Sequence, residues 1–202
     1  MSYQFTFDWF THNVKNFLAV KNILTARKHI LEIGSFEGRS TVWIAKNMLD
    51  DGGQITCIDT WDGGEERKVI GTDGTVKDID MSIIEARFDH NMDVLKKEEP
   101  NKTVRKNKGR SAEELASMIY WPKFALIYVD GCHDSRDCLS DAVMAWELLE
   151  KGGVMILDDY GWKDRPVGPA HPKPAIDAFI NFYYKELKVL FINYQVALQK
   201  TL

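Results

Sequence analysis

The run Leu31-Glu32-Ile33-Gly34-Ser35-Phe36-Glu37-Gly38-Arg39-Ser40-Thr41 puts two glycines between a short apolar segment and a helical one. The apolar segment, 28–33, reads as a strand. Residues 39–49 read as a helix, with Val42, Trp43, Ala45 and Met48 near one side. Gly34 and Gly38 allow a tight turn and close approach of another group. The helix that follows points its first amides at the same place. A strand, a glycine turn and a helix in this order open a βαβ unit. Phe36 breaks the Gly-x-Gly-x-x-Gly dinucleotide pattern, and no Gly-Lys-Ser/Thr follows, so a P-loop is excluded.

Outward from this run the alternation continues. Strands are expected at 54–59, 104–108, 124–129 and 154–157, with helices at 82–97, 111–119, 135–151 and 174–187. Ser111-x-x-Glu114 has capping-box spacing, and Gly152-Gly153 is expected to end the helix before it. Two last strands, 188–192 and 195–199, have only Asn193-Tyr194 between them, which permits only an antiparallel pair. The expected fold is a doubly wound α/β domain spanning 1–202. Its sheet is mostly parallel, seven-stranded, and closed by a C-terminal antiparallel hairpin. A leading helix is expected over about 7–25. The segment 61–80 is too long for a simple turn and reads as a lid-like insertion.

Composition sets outer bounds. The 202 residues are 45% hydrophobic and 28% charged, near globular averages. No run approaches the ~18 apolar residues of a membrane span, and the start lacks a basic region followed by an apolar run. The expectation is a cytoplasmic protein away from membranes. A net charge of −4 without a long basic stripe argues against a nucleic-acid substrate. Cys57, Cys132 and Cys138 fit no zinc template.

In an open α/β sheet, ligands bind beyond the carboxyl ends of the strands. There the sequence places Cys57-Ile58-Asp59-Thr60-Trp61, whose Asp59 carboxylate can accept from both hydroxyls of a ribose. Ser111 follows the next strand and reads as an N-cap. Asp130-Gly131-Cys132-His133-Asp134 and Asp158-Asp159-Tyr160-Gly161-Trp162 follow two more. Gathered carboxylates raise one another's pKa unless a cation or donors compensate. A hard divalent cation is one compensation, and helix capping is the other. Trp61, Trp162 and Tyr160 serve either ring stacking or packing.

These motifs together resemble class I S-adenosylmethionine-dependent methyltransferases. The first motif is Glu32 through Ser40, and Asp59 falls where that family keeps its ribose-binding acid. Tyr128 through His133, Asp158 through Trp162, Pro174 through Phe179 and Tyr194-Gln195-Val196 are similar to a bacterial branch related to macrolide-sugar O-methyltransferases. The resemblance implies that Glu32, Gly34, Ser35 and Gly38 line the site for the methionine part of S-adenosylmethionine. Asp59, Thr60 and Trp61 would hold the ribose and adenine edge, Ser111 would lie beside the adenine, and Asp130 would border the cofactor. It implies Asp130, Asp158 and Asp159 as Mg²⁺ ligands, and His133, with Asp130, as the catalytic group for a small-molecule acceptor such as a sugar or glycoside hydroxyl. Homo-oligomerisation is left open. Two other readings share part of this pattern: a nicotinamide-dependent oxidoreductase and a non-catalytic cofactor-binding protein.

Overall fold

Seven strands form one sheet because apolar side chains alternate between its two faces. The computed structural model describes residues 2–63, 68–70, 76–163 and 166–202, with 68–70 and 76–78 described through their backbone. The elements are β1 (His29–Ile33), β2 (Gln54–Asp59), β3 (Lys68–Ile70), β4 (Val76–Asp78), β5 (Thr103–Lys108), β6 (Phe124–Val129), β7 (Leu149–Leu157), β8 (Leu187–Ile192) and β9 (Val196–Lys200). The helices are α1 (Val14–Lys21), α2 (Arg39–Asn47), α3 (Met81–Glu98), α4 (Ser111–Ser117), α5 (Ser135–Leu148) and α6 (Pro172–Tyr183). The main sheet runs β5-β2-β1-β6-β7-β9-β8. Strands β5, β2, β1, β6 and β7 are mutually parallel, whereas β9 is antiparallel to both β7 and β8. The terminal hairpin is thus as expected, but its second strand inserts between the first and β7.

Period-two alternation splits the core. Ile30, Leu126, Tyr128, Val154 and Ile156 face one layer with Phe17 of α1, Ile44 of α2 and Phe88 of α3. Leu31, Ile127, Val129, Met155 and Leu157 face the other with Leu115 of α4, Trp146 of α5 and Phe179 of α6. Strands covered on both faces read as continuous apolar runs. Polar β5 lies at one edge of the sheet.

Several boundaries differ from the sequence expectation. The leading helix begins later: residues 7–10 are not helical, a 3-10 turn covers Thr11–Asn13, and α1 starts at Val14. The expected helix 135–151 stops at Leu148, and Leu149 enters β7 opposite Phe124. Gly152 and Gly153 therefore lie within β7, where the register with β6 shifts, rather than closing a helix. Of the expected insertion, the described part includes an antiparallel pair, β3 with β4. Residues 64–67 and 71–75 of that expectation lie outside the described residues.

The strand ends are brought together at Gly34. Its φ is +87°, and a Cβ there would lie 1.9 Å from the Asp130 carbonyl oxygen. Gly34 N donates to Ile58 O at 2.8 Å, and Asp130 N donates to Ile33 O at 2.8 Å, so the loops after β1, β2 and β6 touch through backbone alone. Gly152 has a similar φ of +84° but nothing within 4 Å of its added Cβ. Gly152→Ala should therefore cost only the left-handed penalty, about 1–2 kcal/mol. Gly34→Ala adds a backbone clash and should cost about 4 kcal/mol or more, or prevent folding. Denaturant unfolding of the two variants measures the difference, and equal costs would deny Gly34 this role.

Candidate active site at the carboxyl edge of the sheet

The glycine turn is held from below by carboxylates. Asp59 Oδ2 accepts from the amides of Ser35 and Phe36, both at 2.9 Å, and its Oδ1 accepts from Trp61 N at 2.8 Å. A carboxylate offers about four lone-pair sites, so Asp59 chiefly fixes the turn, with limited capacity for a second hydroxyl. Glu32 is fully buried. Its Oε2 accepts from Ser35 Oγ at 2.9 Å and from Thr41 Oγ1, while Oε1 has no partner. Burial raises the Glu32 pKa against the lowering effect of these hydroxyls. Both Glu32 and Ser35 therefore turn their side chains under the loop rather than outward.

Phe36 and Trp61 depart from the sequence reading. Phe36 adopts φ +48°, the left-handed conformation in which glycine is the usual residue. Trp61, expected beside the ribose or stacked on a sugar, is only 2% exposed and packs on Phe88 at 4.8 Å between centroids. Its indole N–H donates to Phe36 O at 2.8 Å. That bond and the packing hold Phe36 in place, so Trp61 is a support of the loop. Thr60 is half-buried and its hydroxyl accepts from Asp62 N at 3.2 Å. Gly38 caps α2 at φ +79° and meets Phe88 and Met92 of α3.

Ser111 is not the N-cap of α4. Arg110 takes that place, and Glu114 accepts from Asn107 Nδ2 at 2.6 Å instead of closing a capping box. Ser111 hydrogen-bonds Asp141 of α5, a carboxyl only 2% exposed. A Cβ at Gly131 would lie 3.5 Å from Asp141 Oδ2, so this acid joins the loops after β5 and β6.

Beyond β6 and β7 lies the acidic cluster. Asp158 is buried, with oxygens that accept from Asn13 Nδ2 (3.2 Å), Gln195 Nε2 (2.9 Å), Asp159 N (2.7 Å) and Tyr128 Oη. Tyr128 Oη also lies 2.8 Å from Asp130 Oδ2. A phenol has one proton, so it can bond both carboxyls only when one of them is protonated. Burial, then the charges of Asp158 and Asp159, push the Asp130 pKa well up and make it the proton holder. Burial and the charge of Asp159 raise Asp158 to about 6.

Asp159 behaves oppositely. Burial would raise its pKa, but the hydrogen bond and charge of His133, with a hydrogen bond from Tyr194, hold it below the usual range. His133 Nε2 lies 2.9 Å from Asp159 Oδ2, and Tyr194 Oη donates to Asp159 Oδ1. The Asp159 backbone sits at φ +56°. Asp130, His133 and Asp159 each offer a ligand atom within 4.8 Å of the others. This grouping differs from the three acids expected from sequence: Asp158 turns inward to four donors, and His133 lies beside Asp130 and Asp159 instead.

The profile of a family described as "Methyltransferase domain" matches residues 31–160. The chain belongs to this methyltransferase-domain family. No curated protein matches it in sequence. Its fold is that of class I methyltransferases. A Bacillus cereus O-methyltransferase solved with S-adenosylhomocysteine is 18% identical with a TM-score of 0.63, over 99% of this chain and 84% of that one. The O-methyltransferase TomG of Streptomyces achromogenes, solved with S-adenosylmethionine, is 18% identical (TM-score 0.58, 91% and 77%). The mycinamycin-pathway methyltransferase MycE, solved with Mg and S-adenosylhomocysteine, is 15% identical (TM-score 0.57, 96% and 51%). No helix among the described residues is long and apolar enough to cross a membrane.

Sequence reasoning missed several partners in this methyltransferase-domain chain. Asn13 gave no motif signal, and Tyr128, Tyr194 and Gln195, though within the resembling motifs, were not expected to bond the acids. Asp141 was not singled out within the expected helix 135–151. Burial raises its pKa from 3.8 to about 6, with the Ser111 hydrogen bond opposing. The folded chain then keeps this proton to higher pH than the unfolded chain does. Stability from this group is fullest below pH ~4 and is lost as pH rises through about 6. Asp141→Asn should flatten that fall by up to about 3 kcal/mol between pH 4 and 7. Denaturant unfolding at both pH values measures it, and an unchanged slope would refute it.

Proposed function

We propose that the chain is an S-adenosylmethionine-dependent O-methyltransferase acting on a hydroxyl of a small molecule such as a sugar or glycoside. The observation that carries this reading is the His133–Asp159–Tyr194 chain, at the edge where the glycine turn meets Asp130. The matching methyltransferase-domain family favours this reading over an oxidoreductase, and a binding protein needs no oriented imidazole.

The residues fit the cofactor. Glu32 Oε1 is a buried acceptor without a partner beneath the turn, and Ser111 and Asp141 fix the corner assigned to the adenine. S-adenosylmethionine supplies a methyl group already activated on a sulfonium. The chain then has to align an acceptor oxygen with that methyl and remove the hydroxyl proton. With Nε2 donating to Asp159, Nδ1 is the ring's acceptor, and His133 takes the proton there. Asp159 fixes the ring and stabilises the imidazolium that forms. Tyr194 holds Asp159 ionised and in place.

The cluster also fits a divalent cation, because several carboxylates converge around one imidazole. Asp130 and Asp159 would hold it, and His133 would then be its third ligand rather than the base. Such an ion would lower the pKa of a ligated hydroxyl. Cytoplasmic residence accords with this chemistry.

Calorimetry should show S-adenosylhomocysteine binding in the micromolar range, about −8 kcal/mol. The absence of binding would end this reading. His133→Ala should lower kcat roughly 10²- to 10⁴-fold with cofactor affinity nearly unchanged. A wild-type kcat in that variant would remove His133 from the reaction. Chelation should lower turnover, and Mg²⁺ should restore it in wild type but weakly in Asp159→Asn. Full activity after exhaustive chelation would leave the acids without a metal role.

A further inference from the structure

The segment before α1 is pinned across the glycine turn. Thr6 N and Oγ1 donate to Glu37 at 2.6 and 2.5 Å, and Arg39 Nε donates to Phe7 O at 2.9 Å. Asn91 bonds both Gln4 N and Gln4 O, at 2.7 and 2.8 Å. Phe7 and Trp9 stack with centroids 4.8 Å apart and planes 1° from parallel. Trp9 also lies 5.2 Å from Phe36, the left-handed residue of the turn. Despite these contacts Trp9 is 49% exposed.

The residues that follow lead to the acids. His12 packs edge-on against Tyr194 at 5.0 Å, and Tyr194 donates to Asp159. Asn13 donates to Asp158. Residues 9–13 thus span the distance from the cofactor turn to the proposed base and its acid. A tryptophan backed by two rings and open on its outer side stands at the start of that span. Trp61 is buried, and Trp162 packs edge-on against His133 at 5.1 Å.

We propose that Trp9 is the stacking face of the acceptor site, taking the flat face of the ring that carries the reacting hydroxyl. The proposal rests on the methyltransferase reading and adds the class of acceptor. Both an aryl ring and a pyranose present such a face. Covering the exposed indole buries apolar area, and a rigid platform limits the orientations of the hydroxyl before transfer. His12, beside it, supplies a polar edge for further hydroxyls.

The test uses the ¹⁵N-labelled full chain saturated with S-adenosylhomocysteine, with the Trp9 indole N–H resonance as readout. Phenol and methyl β-glucopyranoside are the two probes. One or both should shift that resonance, phenol marking an aryl acceptor and the glucoside a pyranose. Trp9→Ala should weaken binding of the active probe about 3- to 10-fold, the equivalent of one aromatic pair. Trp9→Phe should recover part of it, and S-adenosylhomocysteine affinity should fall less than probe affinity. If both probes leave Trp9 unmoved, or bind Trp9→Ala as tightly as wild type, the platform is overturned. Failure of S-adenosylhomocysteine to bind wild type would strike the methyltransferase reading instead.

Discussion

The backbone contact between Gly34 and Asp130 sets the geometry on which the carboxyl edge of the sheet depends. A side chain at Gly34 would overlap the Asp130 carbonyl, so the loops after β1 and β6 can meet only with glycine there. Their meeting places Asp130 beside the glycine turn and starts the loop that carries His133. Asp59 and Trp61 then hold the other side of the turn through its amides and the Phe36 carbonyl. The left-handed conformations of Phe36, Trp61 and Asp159 all occur along this edge. Strain of this kind persists where surrounding contacts over-determine it, and here hydrogen bonds surround each of the three.

Electrostatics divides the acids by partner rather than by position in sequence. Asp158 and Asp159 are adjacent, yet one is pushed up to about 6 and the other is held low. Asp158 meets neutral donors in a buried setting, so desolvation prevails. Asp159 meets an imidazole that carries charge when protonated. The pair therefore separates into an acid tied to the segment before α1 and to the turn after β8, and an acid bonded to the His133 imidazole. Asp130, holding its own proton, bonds the Tyr128 oxygen, which in turn donates to Asp158. A single buried phenol thus links two strand ends.

The alternation of strands and helices along the chain was legible because apolar periodicity is local. Each strand's alternation and each helix's stripe can be read within about a dozen residues. The helix and strand boundaries around Leu149 were not, because pairing with Phe124 outweighed the local helical pattern and the glycine pair. The start of the first helix was misplaced for a related reason. Phe7 has helical spacing with Phe10 and Val14, but with Trp9 it is used in a strap that packs on Phe36.

By itself, the sequence determined a mostly parallel α/β sheet with an antiparallel end and a ligand edge rich in glycine and acid. Those follow from periodicity, chain connectivity and the short link between the last strands. Only the tertiary structure decided which acids act together. His133 joins Asp130 and Asp159, while Asp158 is drawn inward by Asn13, Tyr128 and Gln195. It also decided that Trp61 is buried and Trp9 open. Hydrogen-bond partners 145 residues apart, as Asn13 and Asp158 are, leave no spacing to read. Their pairing exists only once the sheet has brought the ends of its strands to one edge.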